Sequence, residues 1–361
     1  MELSRSPPES IESHLTGSYY RGRKYRYLPK ARSGIPRGTS YFADGPAIGF
    51  PKVPRALVAE TAFPQTFDGR VWVEEKLNGY NVRLVRVAGF DDPLALTRSG
   101  RVCPYTTSRL ARTLSLDDFF EAHPDAILCG EVVGHEAPYT DHAYPDVDSM
   151  AFRAFDVRDR RTGTPLPVED RRDRLDEYGL PQVPLLGVFD APDAGTEVRA
   201  LIADLHDRGR EGVVAKSADG ETMLKYTTSY ANQGDLRYAF SLPFECGRDF
   251  IFRRVIREAF QAVEEGEDGE ALRERAHGLG ESILCPTVEA IRAVQRGDPV
   301  GERHTVRGTD AELRALLDHL EAQGLDVAVE SRSEGALTFR KLSHSTMDKC
   351  RYYLDGGTVT D

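Results

Sequence analysis

The chain has 361 residues with 40% hydrophobic, long enough for roughly two to three domains and for a large core that needs no disulfide staples. No apolar run approaches the ~20 residues that span a bilayer, and the first ten residues hold no apolar signal region, so the expected location is cytoplasmic. The net charge of −11 argues against a globally basic nucleic-acid binder, and five scattered cysteines without a CxxC pair argue against a disulfide framework or a zinc site.

Residues 1–60 are rich in Pro, Gly, Ser and Arg and read as an irregular N-terminal basic segment. From Ser13 to Ala43 there is no acid, while Arg21, Arg23, Lys24, Arg26, Lys30, Arg32 and Arg37 are basic and Tyr19, Tyr20, Tyr25 and Tyr27 interleave them. Single-stranded nucleic acid requires that mixture, cations for phosphates and rings for bases. A solvated basic surface requires only the cations. Strands are expected at 71–76 and 81–87 around a turn at Asn78-Gly79. A third strand at 94–97 ends at Ser99-Gly100, and 109–123 reads as mostly helical. Strands at 126–133 and 151–157, helices at 168–178 and 197–208, and short strands at 212–216 and 222–226 complete the region. Mixed elements without regular βαβ alternation predict an α+β domain with antiparallel sheets.

The pattern changes after about residue 240. Apolar residues at 251, 252, 255, 256, 259, 260 and 263 mark one face of a helix over 249–264. A second helical stretch at 270–296 ends at Gly297-Asp298-Pro299. The last residues read strand (303–307), helix (310–323), strand (325–331) and strand (336–342). The expected domains are therefore 1–60, 61–240, 241–298 and 299–361.

Lysine usage directs attention to the chemistry. There are eight lysines among 47 basic residues, so arginine serves wherever charge alone is needed. Guanidinium cannot act as a nucleophilic amine, because it keeps its proton. Lys76 opens Lys76-Leu77-Asn78-Gly79 at a strand end. That KxxG is weak alone: eight Lys and 32 Gly in 361 residues supply about 0.7 by chance. Its setting is stronger. Arg98 lies in the strand-ending Thr97-Arg98-Ser99-Gly100, and Glu131 is a lone carboxylate in an apolar strand that needs a partner or ligand. Phe155 and Asp156 are side by side on a strand. Glu211 precedes Gly212-Val213-Val214, with Lys216 beyond it, and Lys225 lies in Met223-Leu224-Lys225-Tyr226. Desolvation and neighbouring cations turn a lysine into a nucleophile, and Lys216 and Lys225 are the candidates for those cations.

This ordered set, between residues 74 and 226, resembles the covalent nucleotidyltransferase superfamily of polynucleotide ligases and mRNA capping enzymes. DNA ligases and capping enzymes usually carry Asp before the glycine and Arg two after it. Asn78 and Asn81 stand there instead, and Asn81 is similar to the RNA ligases. Residues 48–85 followed by 96–107 closely resemble the archaeal homodimeric ATP-dependent RNA ligases, known for circularising RNA. The resemblance implies a nucleotidyltransferase (ATP-grasp-like ligase) domain, a helical dimerisation region and a small α+β C-terminal module. It implies ATP and Mg2+ or Mn2+ as cofactors, and single-stranded RNA with a 5′-phosphate and a second copy of the chain as partners.

By the same resemblance, Lys76 attacks the α-phosphate to form lysyl–AMP. Glu75 accepts from the adenine amino group, Phe155 stacks on adenine, and Glu131 holds the ribose. Arg98 contacts the ribose and reacting phosphate, Lys216 and Lys225 neutralise the α-phosphate, Glu211 binds the metal, and Asn81 positions the acceptor end. One departure stands out: DNA ligases usually end with K-x-K, and here Thr227 takes the second lysine position. A DNA ligase, a GTP-dependent capping enzyme, and an RNA-binding protein with a degenerate pocket are the alternatives. The first two usually need an OB-fold after the lysine strand, where this sequence reads as helical.

Overall fold

The computed structural model describes residues 2–140 and 142–359. After one turn of helix, α1 (Glu9–Glu12), the chain forms strands β1 (Thr16–Tyr20), β2 (Arg23–Tyr27), β3 (Ser40–Phe42) and β4 (Gly45–Ala47). They pair antiparallel in sequence order. The expectation of an irregular segment is corrected here. Tyr25 and Tyr27 point inward while Lys24 and Arg26 point outward, so the period of two was present but carried by tyrosine. Tyr20, Tyr25 and Tyr27 pack with Phe42 onto Val85, Leu94 and Leu96 of the following domain. Three of the four interleaved tyrosines are therefore core, and of the four Tyr19 alone is exposed.

The central region contains helix α2 (Ala59–Thr66), strands β5 (Arg70–Lys76), β6 (Tyr80–Val85) and β7 (Leu94–Thr97), and helices α3 (Pro104–Thr113) and α4 (Asp117–Ala122). It continues through β8 (Ala126–Val133), β9 (Ala151–Asp159), α5 (Val168–Glu177), β10 (Leu185–Asp190), α6 (Ala191–Asp207), β11 (Gly212–Ser217) and β12 (Met223–Thr227). These strands build two antiparallel sheets, ordered β10-β5-β11-β12 and β7-β6-β8-β9. The first buries Val71, Val73, Val213 and Ala215 against Phe63 of α2 and Val198 and Ile202 of α6. The second buries Val82, Leu84 and Leu128 against Leu110, Phe119, Phe120 and Leu175 of α3, α4 and α5. The other face of each sheet borders a shared cavity.

The turn at Asn78-Gly79 does not close a hairpin, as the sequence reading expected. It hands the chain from one sheet to the other, since β5 and β6 have different partners. Gly79 permits the crossing: a Cβ there would lie 2.2 Å from the Val132 carbonyl oxygen on β8.

Helices α7 (Ser229–Ser241), α8 (Arg248–Glu265) and α9 (Gly269–Arg296) follow. The chain ends with β13 (Gly301–Arg307), α10 (Asp310–Glu321), β14 (Val327–Ser333), β15 (Ala336–Leu342) and α11 (His344–Leu354), whose strands form a sheet ordered β13-β15-β14. α7 was not legible because part of its buried face is polar: Ser229 and Asn232 bond Glu258 of α8. Leu242, Ala290 and Val294 share a core with Val300, Met347 and Cys350, so the helical region and the terminal module are continuous across residue 298. The module also docks on the central domain, where Tyr105 of α3 packs with Leu313, Leu316 and Phe339. Among the described residues, no helix is long and apolar enough to cross a membrane.

Candidate active site

Strand register sets the first wall of the cavity. On β5, Glu74 and Lys76 share a face; across from them on β11 stand Val214 and Gly212, and beyond these on β12 stand Lys225 and Thr227. On the opposing sheet, Asn81 of β6 pairs with Glu131 of β8. The space between is about 300 Å³, and Glu75, Lys76, Asn81, Arg98, Glu131, Phe155, Lys216 and Lys225 all line it. Glu211 reaches it by an ion pair with Lys76, 2.5 Å from Nζ. All nine residues singled out from the sequence thus converge on one cavity. Phe50 and Lys52, from the N-terminal segment, line it too and were missed. Their only signal was a place within the 48–85 stretch.

Glycine positions again permit close approach. Gly212, after Glu211, has φ +143°, and a Cβ there would meet the Tyr226 carbonyl oxygen at 2.3 Å. That lets β11 press against β12 and set Glu211 beside Lys76.

The charges in the cavity are poised for a ligand. Burial pushes the Glu131 carboxyl up to about 7; Glu211 adds to the rise, while Lys76, the Gly79 N–H and Arg98 oppose it. Burial likewise raises Glu75 against the pull of Arg210 and Arg208. Lys225 is lowered to about 8 by burial, then by Arg55, Lys76 and Arg257, with Glu211 opposing. Arg98 is lowered by burial and by Arg37; its guanidinium donates to the Pro51 carbonyl at 3.1 Å and sits over the Phe50 ring.

The two lysines expected to act alike differ. The Lys216 side chain is 2% exposed and sits 3.0 Å from Glu74, whose side chain is 1% exposed, and it also donates to the Phe155 carbonyl. Glu74 is bonded further to Arg171 and, at 3.1 Å, to Arg172. Burial alone would raise Glu74, but Lys216 and Arg171 outweigh it and hold the carboxyl below its usual range. Lys216 is therefore committed to a buried network that fixes the Phe155 strand. Among the described residues Lys225 has no such partner, and it feels the charge of Lys76.

Two tests of fit follow. A purine fits by polarity: Phe155, Leu77 and Val183 offer apolar surface, and among the described residues the buried Asn81 Oδ1 and Glu75 Oε1 accept no hydrogen bond, Glu75 Oε1 having only Arg210 at 3.7 Å. A divalent ion fits by donor chemistry, since Glu211 and Glu131 are hard oxygen donors and an ion that keeps its waters needs only one or two carboxylates. Among the described residues no cluster of three or more His, Cys, Asp or Glu is arranged to hold an ion.

Comparison with known proteins agrees with this geometry. Residues 69–227 match the RNA ligase family, and residues 238–357 match the family described as the Ligase Pab1020 C-terminal region. The second match spans helices and terminal module together, as their shared core does. An uncharacterized protein of Methanocaldococcus jannaschii, MJ0414, is 35% identical over 354 residues, covering 93% of this chain and 89% of that one. A solved archaeal ATP-dependent RNA ligase, form 2, superposes with a TM-score of 0.93 at 40% identity, covering 97% of this chain and 95% of that one. A chain from Aquifex aeolicus described as a putative ATP-dependent DNA ligase superposes with a TM-score of 0.89 at 27% identity, with 97% of each chain covered.

Proposed function

The chain belongs to the archaeal ATP-dependent RNA ligase family, and on that premise we propose that it joins 5′-phosphate and 3′-hydroxyl ends of single-stranded RNA, circularisation included, through AMP carried on Lys76. The observation that carries this reading is Lys76 in the lining of a cavity of about 300 Å³, with Lys225 and the carboxylates Glu131 and Glu211 near it.

Attack on a phosphate is mainly a problem of position and charge. Lys76 Nζ forms a bond to the α-phosphorus of ATP while the bond to the pyrophosphate oxygen breaks. The proton that Lys76 must shed has an acceptor at 2.5 Å in Glu211. Phe155 stacks on adenine, Glu75 accepts from its amino group, Glu131 and Arg98 hold the ribose, and Lys225 faces the α-phosphate. Lys216 acts through Glu74 and the Phe155 carbonyl, as a positioning residue. Glu211, with Glu131 beside it, would hold Mg2+ or Mn2+, and such an ion neutralises phosphate charge. AMP then passes from Lys76 to the RNA 5′-phosphate, breaking the P–N bond. The RNA 3′-hydroxyl, positioned with Asn81, attacks that phosphate, sealing the strand and releasing AMP.

The homodimer belongs to this reading. Phe252 and Val263 of α8 are 64% and 80% exposed, with Val255 and Phe260 also exposed beside them. That apolar stripe is not packed on its own chain, and a second copy would cover it. Light scattering that gives one chain's mass across micromolar protein would contradict this. Five free cysteines are in keeping with a reducing cytoplasm.

The Aquifex aeolicus relative favours a second reading, DNA joining. The test is to supply ATP and Mg2+ with 5′-phosphorylated single-stranded RNA or with nicked duplex DNA. Circles or joined RNA are expected. Joining confined to the nicked DNA would replace the RNA reading.

A further inference from the structure

At the Lys225 edge of the nucleotide cavity, three cations stand together, Arg55, Lys225 and Arg257. Arg55 precedes α2, and its backbone neighbours run along β12: Lys225 N–H donates to the Pro54 carbonyl and Ala56 N–H to the Lys225 carbonyl, both at 2.9 Å. The Arg55 guanidinium is thereby laid against β12, where it donates to Thr227 Oγ1. Arg257, from α8 of the C-terminal region, is 8% exposed, and its buried Nε has no hydrogen-bond partner among the described residues. Arg55 and Lys225 pair backbone to backbone, and Arg257 is near enough for the charges of all three to oppose one another.

The acids within reach are already engaged. Glu211 pairs with Lys76 at 2.5 Å, Asp235 with Arg254 at 2.7 Å, and Glu258 with Arg275 at 2.8 Å. Holding the buried Arg257 beside the half-buried Arg55 and Lys225 is costly unless an anion joins them. Burial, with the neighbouring cations adding to it, lowers Arg257 to about 10 and Lys225 to about 8.

We propose that Arg55, Lys225 and Arg257 form a second phosphate site beside Lys76, in which Arg55 supplies the charge that K-x-K sequences place at position 227. The inference rests on the ligase reading. Its ligand is a phosphate group other than the one Lys76 attacks. Thr227 stands level with Lys76 across Gly212, so Arg55 meets the sheet on the far side of β11 from the nucleophile. In-line attack by Lys76 expels pyrophosphate on the side away from its amine. Pyrophosphate is thus the favoured source, with the RNA 5′-phosphate as the other. Because Arg257 comes from α8, the C-terminal region completes the site.

The test uses the full chain in wild-type form and as Arg55→Ala, Arg257→Ala, Arg55→Lys and Arg55→Ala/Thr227→Lys, with matching melting curves as the control for folding. Lysyl–AMP protein is discharged with inorganic pyrophosphate and Mg2+, and AMP transfer to 5′-phosphorylated RNA is followed in parallel. Loss of one charge-assisted contact should raise the pyrophosphate concentration for half-maximal discharge about tenfold or more. Arg55→Lys should retain much of the wild-type behaviour, and Thr227→Lys should recover most of the loss in Arg55→Ala. A defect confined to transfer onto RNA assigns the site to the RNA phosphate. Wild-type-like pyrophosphate response and RNA transfer in both alanine variants would overturn the proposal. A wild-type protein that takes no label from ATP would instead overturn the ligase reading.

Discussion

Replacing Glu131 by Gln should make the protein more stable at neutral pH while weakening its chemistry. Glu131 sits on β8 and lines the cavity between the two sheets, and burial raises its carboxyl from 4.5 to about 7. At about 1.4 kcal/mol per unit, the difference amounts to about 3 kcal/mol, and the solvent access Glu131 retains brings the working range to about 1–3 kcal/mol. The folded value lies above the unfolded one, so the native state binds this proton more tightly. Its contribution is fully present below about pH 4.5 and is lost as the pH rises toward 7. Glutamine does not titrate, and other groups cancel in the difference between the two proteins. Urea unfolding of both proteins at fixed salt should give matched shapes. The gap in favour of Glu131→Gln should widen by about 1–3 kcal/mol between pH 4 and pH 8. A gap that stays constant across that range would refute the assignment of the raised carboxyl to Glu131. Labelling by ATP should fall in the same variant, if Glu131 holds the ribose as proposed.

The other predictions concern position. Glu74→Gln strips the charge that holds Lys216 and Arg171, leaving two buried cations, and should cost about 3–5 kcal/mol in chemical unfolding. Gly79→Ala places a methyl 2.2 Å from the Val132 carbonyl, so β8 and Glu131 must shift. A displacement of that order should slow AMP transfer to Lys76 about a hundredfold in single-turnover labelling.

What the sequence disclosed and what it hid follow from how each feature is built. Lys76, Glu131, Glu211 and Lys225 were legible because strand ends and apolar strands make an isolated charge conspicuous. The difference between Lys216 and Lys225 was not, because it depends on Arg171, which lies on a helix of abundant charge with nothing to mark it as 1% exposed. Glu74 left a trace, as a second acid inside an apolar strand. The N-terminal sheet was hidden by burying tyrosine where aliphatic residues give the usual signal. The separation of β5 from β6 was hidden because a glycine turn reads alike whether it closes a hairpin or crosses between sheets. Arg55 and Arg257 are far apart in sequence, and only the fold brings them to Lys225.

The most direct test is the bond on Lys76. Protein freed of bound AMP is incubated with Mg2+ and α-labelled ATP or GTP, resolved on a denaturing gel and mapped by peptide mass. The account predicts label from ATP alone, carried on Lys76 and absent in Lys76→Ala. Label that persists in Lys76→Ala, or wild-type protein that takes none, would contradict it.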